Sequence, residues 1–368
     1  MTLGVHGNAN DIHTQRWVKW FAKRGYDIVL IDYRISDEAK AKFKNYKNLK
    51  FVELGEFSKI PILRDLQIAL RFSKIDKEEN LNSLTCHSGP TGFRPALSGI
   101  HPLILVAFGS DFFMLPQRSP VWRRLYRWMA KHTDYVLCDS NHLIDEVKQY
   151  GFNEKRIKLY HLGVDTDLFA YDLDRDKWRV KLGIPLDVPV IYHTRILSED
   201  YRVHRLLEAM LLVWDQRPEA VCILKDYHSD IAYRERLDDL IKKHGKEDRV
   251  RYVPTVDYEE LPYLFAMSDM AVSIRVTDSA PVSVLESIAM RKPIIASNLP
   301  NLREWIEDGV TGYLVNVDDP GQIASRILTL INEPDKGKAM AEEAYLKNIQ
   351  EISMDVTMKK IEAIYMNG

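Results

Sequence analysis

Two acids, Asp278 and Glu286, frame the stretch of this sequence best suited to chemistry. Glu286 is the only charge between Asp278 and Arg291. Thr277–Ala280 is small and polar and predicts a turn. Pro281 then falls in the first turn of a helix, where its missing N–H costs nothing. The helix runs from Val282 to Met290 and stops at Arg291-Lys292-Pro293. Its opening leaves unbonded N–H groups and a partial positive charge, a seat for a phosphate. A carboxylate in an apolar run is expensive to bury without a partner. Glu286 therefore reads either as a ligand-binding acid or as the solvent-facing stripe of an amphipathic helix.

These residues need a scaffold, and the flanking runs supply one. Ala271–Ile274 and Ile294–Ser297 are short apolar strands, so the stretch is strand–turn–helix–strand, the βαβ unit of a parallel sheet. The pattern recurs at the other end of the chain, with strand Thr2–His6, helix His13–Arg24 and strand Asp27–Asp32. Gly7 is followed by no glycine series, so the dinucleotide fingerprint is absent. His101–Phe108 is a strongly apolar strand. Gly109-Ser110-Asp111 follows at its carboxyl end, where ligands bind open α/β sheets. Asp111 is a polar site candidate there, or an Asx turn or helix cap. Lys225, after strand Val221–Leu224, is either a site cation or a surface lysine. His87 could approach a site or be structural. Asn301–Glu307 reads as a helix, and Gly337–Met366 as one long final helix.

The chain has 368 residues, enough for two domains with separate cores. A net charge of -2 gives no global pull toward nucleic acid. Three cysteines, Cys86, Cys138 and Cys222, lie too far apart to suggest a disulfide framework or a zinc site. No apolar run reaches the roughly 18 residues that span a bilayer. The chain enters a strand at once, leaving no room for a signal peptide, so the expected location is cytoplasmic.

Asp278-x7-Glu286, the strand Pro293–Ser297, Asn301-Leu302-Arg303-Glu304 and Asp308-Gly309-Val310-Thr311-Gly312-Tyr313-Leu314-Val315 together resemble the donor-binding half of family 4 glycosyltransferases. The family usually has Glu-x7-Glu; the Asp variant and Gly109-Ser110-Asp111 are similar to one of its subgroups. The resemblance implies an α/β fold of the GT-B architecture, two Rossmann-like domains with a cleft between them. It divides the chain into an acceptor-side domain (1–171), a nucleotide-sugar domain (172–345) and a terminal helix crossing back (346–368).

Site roles follow from the same resemblance. Arg195, after strand Val188–Thr194, grips the donor diphosphate with a planar fork that bonds two oxygens at once. The family's nearby lysine is missing; Asp200-Tyr201-Arg202 occupies its place, so Arg202 or Lys225 would supply the second positive charge. Ala280, Pro281, Val282 and Ser283 offer backbone amides to phosphate. Glu286 takes the ribose hydroxyls, Asp278 the sugar, and Thr255 lies where backbone groups meet the base. Asn8, His13 and Gln15 lie in a loop similar to the subgroup's opening, and with His87 they are the acceptor-side candidates. Phe108 stands where many members carry a catalytic-pocket histidine. That leaves Asp111, with Asp278 and Arg195, as the catalytic candidates.

The implied activity is retaining, metal-independent transfer of a sugar from a nucleotide-diphosphate sugar to a glycan or lipid-linked acceptor, with no cofactor. The rival readings are a non-catalytic nucleotide-sugar-binding partner of another transferase, and a nucleotide-sugar epimerase. Ser119-Pro120 opens a further helix to about His132. Arg118, Arg123, Arg124, Arg127 and Lys131 lie beside Trp122 and Trp128, with no acid between them. That helix reads either as lying on an anionic membrane surface or as packing its apolar stripe on the sheet.

Overall fold

The computed structural model describes residues 1–227, 230–277 and 282–367. The chain forms two compact units, Met1–Leu162 with Thr357–Gly368, and Gly163–Val356. The expected boundary near Tyr171 thus moves back to Gly163, and the expected return at 346 moves forward to Thr357. The cause is packing: Val164 and Phe169 are buried in the second unit's core, and Val164 bridges to Ser353.

The first unit is built on a seven-stranded sheet of order β3-β2-β1-β4-β5-β6-β7. Its strands are β1 Thr2–His6, β2 Asp27–Asp32, β3 Leu49–Glu53, β4 Ser83–His87, β5 Leu103–Ala107, β6 Tyr135–Cys138 and β7 Ile157–Leu159. Every pairing is parallel. The central strands are apolar and buried, as both faces of a parallel sheet are covered by helices. The second unit repeats the plan in six parallel strands of order β10-β9-β8-β11-β12-β13. These are β8 Val190–His193, β9 Val221–Asp226, β10 Val250–Pro254, β11 Met270–Ser273, β12 Ile294–Ser297 and β13 Tyr313–Val315. In each unit the carboxyl ends of all strands share one edge, so groups placed there are brought together by topology alone.

Three elements depart from expectation. Only Leu302–Glu304 is helical, as a single 3-10 turn, within the expected helix Asn301–Glu307. The long final helix is two helices, Pro334–Ile352 and Met354–Asn367, broken at Ser353, whose backbone is extended with φ -63° and ψ 122°. Val203–Gln216, not assigned from sequence, is a helix that buries Leu206, Leu207, Met210 and Val213. Cys86, Cys138 and Cys222 are all free and buried.

A buried arginine anchors the start of β8. Arg179 donates through Nε to Met267 O at 2.8 Å, through a terminal nitrogen to Val188 O at 2.9 Å, and to Asp269 Oδ2 at 2.9 Å. The same carboxylate accepts from Val190 N at 2.8 Å. Removing one partner of such a pair strands the other. Arg179→Met should therefore lower the second unit's unfolding free energy by about 3–5 kcal/mol, read from its urea transition.

His6, His87 and His193 end β1, β4 and β8 and are buried. Burial holds the first two near 4 and His193 near 3, below the usual 6.5. Between those values the unfolded chain binds protons that the folded chain refuses. Stability should fall as pH drops from about 6.5 toward 4 and gain nothing from these groups above 6.5. His193→Asn should flatten that slope by about 1.4 kcal/mol per pH unit in urea titrations at stepped pH.

Candidate functional site

In the second unit the candidate groups lie along the carboxyl edge of the sheet. β8 delivers Arg195 two residues past its end. A terminal nitrogen of Arg195 donates to Ser283 Oγ at 3.1 Å, in the first turn of the Val282–Ala289 helix. Glu286 is on the same helix and buried, 6% exposed, which removes the solvent-facing reading. Its negative charge raises the Tyr192 hydroxyl further above its usual range, after burial, the larger cause. β9 delivers Lys225. Burial lowers the Lys225 ammonium, Arg195 lowers it further, and Glu286 pulls the other way. Val282 is half-buried, and Thr255 is exposed just beyond β10. Asp278, Ala280 and Pro281 lie outside the described residues.

Arg202 does not join this group. It caps the Val203–Gln216 helix in the left-handed region and pairs with Glu199 at 3.1 Å and Asp318 at 3.7 Å. Those carboxylates take up its charge, which leaves Lys225 as the sequence-derived second cation. A cation that the sequence reading passed over does join. Arg275, two residues past β11, places its guanidinium carbon 4.7 Å from the centre of the Tyr201 ring. Arg195 approaches the same ring at 5.0 Å. Backbone bonds from Arg275 N to Ser297 Oγ at 2.7 Å and Val276 N to Asp200 O at 3.1 Å fix this corner.

His193 and Thr194 also went unpredicted. His193 Nδ1 lies 3.2 Å from Arg195 O, while His193 Nε2, Thr194 Oγ1 and Tyr192 Oη are buried without a hydrogen-bond partner among the described residues. Buried polar atoms normally find partners, and these three belong to consecutive residues at the carboxyl end of β8, whose side chains alternate between its two faces. The available signal was position: each lies at or just past the carboxyl end of a parallel strand.

In the first unit the Gly7–Asn10 turn and the ends of β4 and β5 meet. Asn8 is exposed, and its Oδ1 accepts from Asn10 N at 2.9 Å. Gln15 is buried and donates to Ala9 O at 3.0 Å, so it braces the turn. Asp11 caps the Ile12–Lys23 helix and accepts from Thr14 N at 3.0 Å and from the Thr14 hydroxyl at 3.3 Å. His87 Nδ1 lies 2.9 Å from that hydroxyl. Which of the two donates depends on the imidazole tautomer. Nε2 is buried and without a hydrogen-bond partner among the described residues. A Cβ on Gly7 would lie 2.9 Å from Thr14 Oγ1 and 3.1 Å from His87 Cβ, so only glycine leaves this chain room. Phe108 sits with its ring centre 5.9 Å from both His13 and His87. Burial also lowers the His13 imidazole.

Asp111 is engaged by the backbone. One oxygen accepts from Gly89 N at 2.6 Å and the other from Phe108 N at 3.2 Å and Phe112 N at 3.1 Å. Burial pushes its carboxyl up to about 6 against the pull of those donors. Gly109, at φ 90°, makes the turn that brings this carboxylate back over its own strand. This is the cap-like arrangement that the sequence left open; it ties the ends of β4 and β5 together.

Two family profiles match the chain: "Glycosyl transferases group 1" over residues 174–347 and "Glycosyl transferase 4-like" over residues 5–140. Among curated proteins, N-acetyl-alpha-D-glucosaminyl L-malate synthase of Bacillus anthracis is 22% identical over 358 residues, covering 94% of this chain and 91% of that protein. A D-inositol 3-phosphate glycosyltransferase of Streptomyces avermitilis is 26% identical over 208 residues, 55% of this chain and 45% of that longer protein. Among solved structures, Anabaena Alr3699/HepE in complex with UDP and glucose superposes with a TM-score of 0.84 at 18% identity, over 100% of both chains. Together the profiles span both units, and the architecture agrees with them: the chain belongs to the GT-B glycosyltransferases of the group 1 and family 4 type.

Proposed function

We propose that this protein transfers a sugar from a nucleotide-diphosphate sugar to a glycan or lipid-linked acceptor, with retention at the anomeric carbon and without a metal. The observation that carries the donor half is the Arg195–Ser283 contact beside the orphaned polar end of β8, with Lys225 on the next strand. Cations and unpaired polar groups at one buried edge suit a diphosphate better than a neutral ligand. UDP and glucose in the Anabaena structure make a UDP-sugar the first donor to try.

In this reading Arg195, Lys225 and the amides opening the Val282–Ala289 helix hold the diphosphate. Ser283 and Tyr201 fix the direction of Arg195, and Arg275, against the same ring, adds charge. Glu286 accepts hydrogen bonds from the ribose hydroxyls, and Asp278 lies beside the sugar. As the bond from the anomeric carbon to the phosphate oxygen breaks, negative charge grows on the departing phosphate. The fixed cations stabilise that charge more than the ground state, which is the source of rate. The acceptor hydroxyl bonds to the anomeric carbon, and its proton passes to the departing phosphate. No separate protein base is needed, so Phe108 in the histidine slot is compatible with turnover. On this account Asp111 is a positioning residue, and Asn8, His13 and His87 are acceptor-side. The protein would act in the cytoplasm, at the inner face of a membrane when the acceptor is a lipid.

One observation favours the non-catalytic alternative: among the described residues the Asp111 carboxylate bonds only to backbone N–H groups, and Phe108 stands in the slot where the resemblance expects a histidine. Incubating purified protein with UDP-sugars separates the readings. Transfer or donor hydrolysis supports the enzyme, and tight UDP binding with no turnover supports the partner. Interconversion of free donor would indicate an epimerase.

Glu286→Ala should weaken UDP binding by about 1–3 kcal/mol by calorimetry, the range for hydrogen bonds to a charged group. Arg275→Ala should weaken UDP by a comparable amount and leave uridine binding unchanged; equal loss for both ligands would remove the diphosphate role. EDTA should leave the transfer rate unaltered.

A further inference from the structure

The helix Pro61–Glu79 of the first unit carries an apolar stripe that faces away from the core. Ile62 is 84% exposed, Leu70 62%, Leu66 55% and Leu63 44%, and Ile60 just ahead of the helix is 62% exposed. Ile68, Phe72 and Ile75 bury the opposite side in the sheet's core. The helix is therefore apolar on two faces, and folding of this unit accounts for only one of them. Clustered exposure of five large aliphatic residues marks a contact surface, unlike single exposed leucines.

Charge identifies the partner. At 3.6 residues per turn, Ile62, Leu63, Leu66, Leu70, Ser73, Lys74 and Lys77 share an arc of about 120°. No carboxylate falls within it; Asp65, Asp76, Glu78 and Glu79 all lie outside. Lys59 is exposed just before the helix. Lys74 leans on Glu78 at the border of the arc, at 3.4 Å. An aliphatic strip bordered by lysines is the face an interfacial helix turns to anionic lipid. The neighbouring helix Pro120–Met129 reinforces it. Tyr126 and Met129 of that helix are buried in the same core cluster as Ile68 and Phe72, and helix Phe93–Ser98 touches both helices. Trp122, Leu125 and Trp128 pack inward, while Arg123, Arg124 and Arg127 are exposed. That helix thus offers cations without an insertable face, and the Pro61–Glu79 helix supplies what it lacks. A second copy of this chain fits less well, because a self-paired stripe would place Lys59, Lys74 and Lys77 against their own kind.

We infer that Ile60, Ile62, Leu63, Leu66 and Leu70 insert into the headgroup–acyl boundary of an anionic membrane, with Lys59, Lys74 and Lys77 at the phosphates and the arginines of Pro120–Met129 alongside. Vesicle binding is read without donor or acceptor, so its failure and a failure of the transferase reading are separable.

The test is co-sedimentation of the full chain with vesicles of phosphatidylcholine alone, or with phosphatidylglycerol as about a third of the lipid. The parent protein should bind only the anionic vesicles. Ile62→Ser/Leu66→Ser/Leu70→Ser alters exposed positions, keeps its thermal midpoint, and should lose at least about tenfold in partitioning. Lys59→Glu/Lys74→Glu/Lys77→Glu should lose at least about tenfold at low salt. Arg123→Gln/Arg124→Gln/Arg127→Gln should lose less than either. The inference is overturned if the parent ignores anionic vesicles, or if the serine variant binds as well as the parent. It is equally overturned by a loss confined to the arginine variant, or by parent self-association that the serine variant abolishes.

Discussion

Charge at a desolvated strand edge governs the second unit. Arg195 and Lys225 are brought to adjacent positions by the parallel register of β8 and β9, and Glu286 is the buried acid near them. Burial acts against the charged form of Lys225, Arg195 worsens that, and Glu286 relieves it in part. Arg195 and Lys225 thus bring positive charge to this edge, and in the proposed reading an anionic ligand would offset it. The anchor at the other end of the strand, Arg179 with Asp269, holds β8 in line so that this edge keeps its geometry.

The first unit uses the same topology around an imidazole and two carboxylates. Asp11, Thr14 and His87 form a hydrogen-bonded chain that holds the imidazole in place. Burial keeps that imidazole uncharged at neutral pH. The result is a neutral imidazole held beside Phe108, suited to a hydroxyl rather than a phosphate. The two units thus present different chemistries from like scaffolds, cations past β8 and on β9 and a neutral imidazole with carboxylates past β1, β4 and β5. The division matches the donor and acceptor roles proposed for them.

Much of the fold was legible because buried parallel strands are short apolar runs with punctuating turns. β1, β2 and β12 have the expected limits. What failed did so for physical reasons. The break at Ser353 carries no proline or glycine; the bridge between Val164 and Ser353 imposes it from outside the helix. Lys225 and Glu286 could be picked out because an apolar neighbourhood makes a charge conspicuous, whereas Arg195 entered only through the family resemblance. Arg202 was a poor candidate for the opposite reason: its partners Glu199 and Asp318 are distant or unremarkable in sequence, and only folding brings them to it. Arg275 stayed hidden because its significance depends on Tyr201, 74 positions earlier, whose ring it faces. Exposure of the Ile62–Leu70 stripe was equally invisible, since an apolar helix face reads as core until its other face is seen to fill that role.

Tyr201 has a consequence beyond its position. A ring holds a guanidinium through the attraction of its face for positive charge, and this contact spends none of the five N–H donors that an arginine carries. A carboxylate in the same place would fix the arginines as firmly but would take up those donors and cancel their charge. Arg195 and Arg275 lie 5.0 and 4.7 Å from the centre of that one ring, so a single aromatic side chain orients two cations without neutralising either.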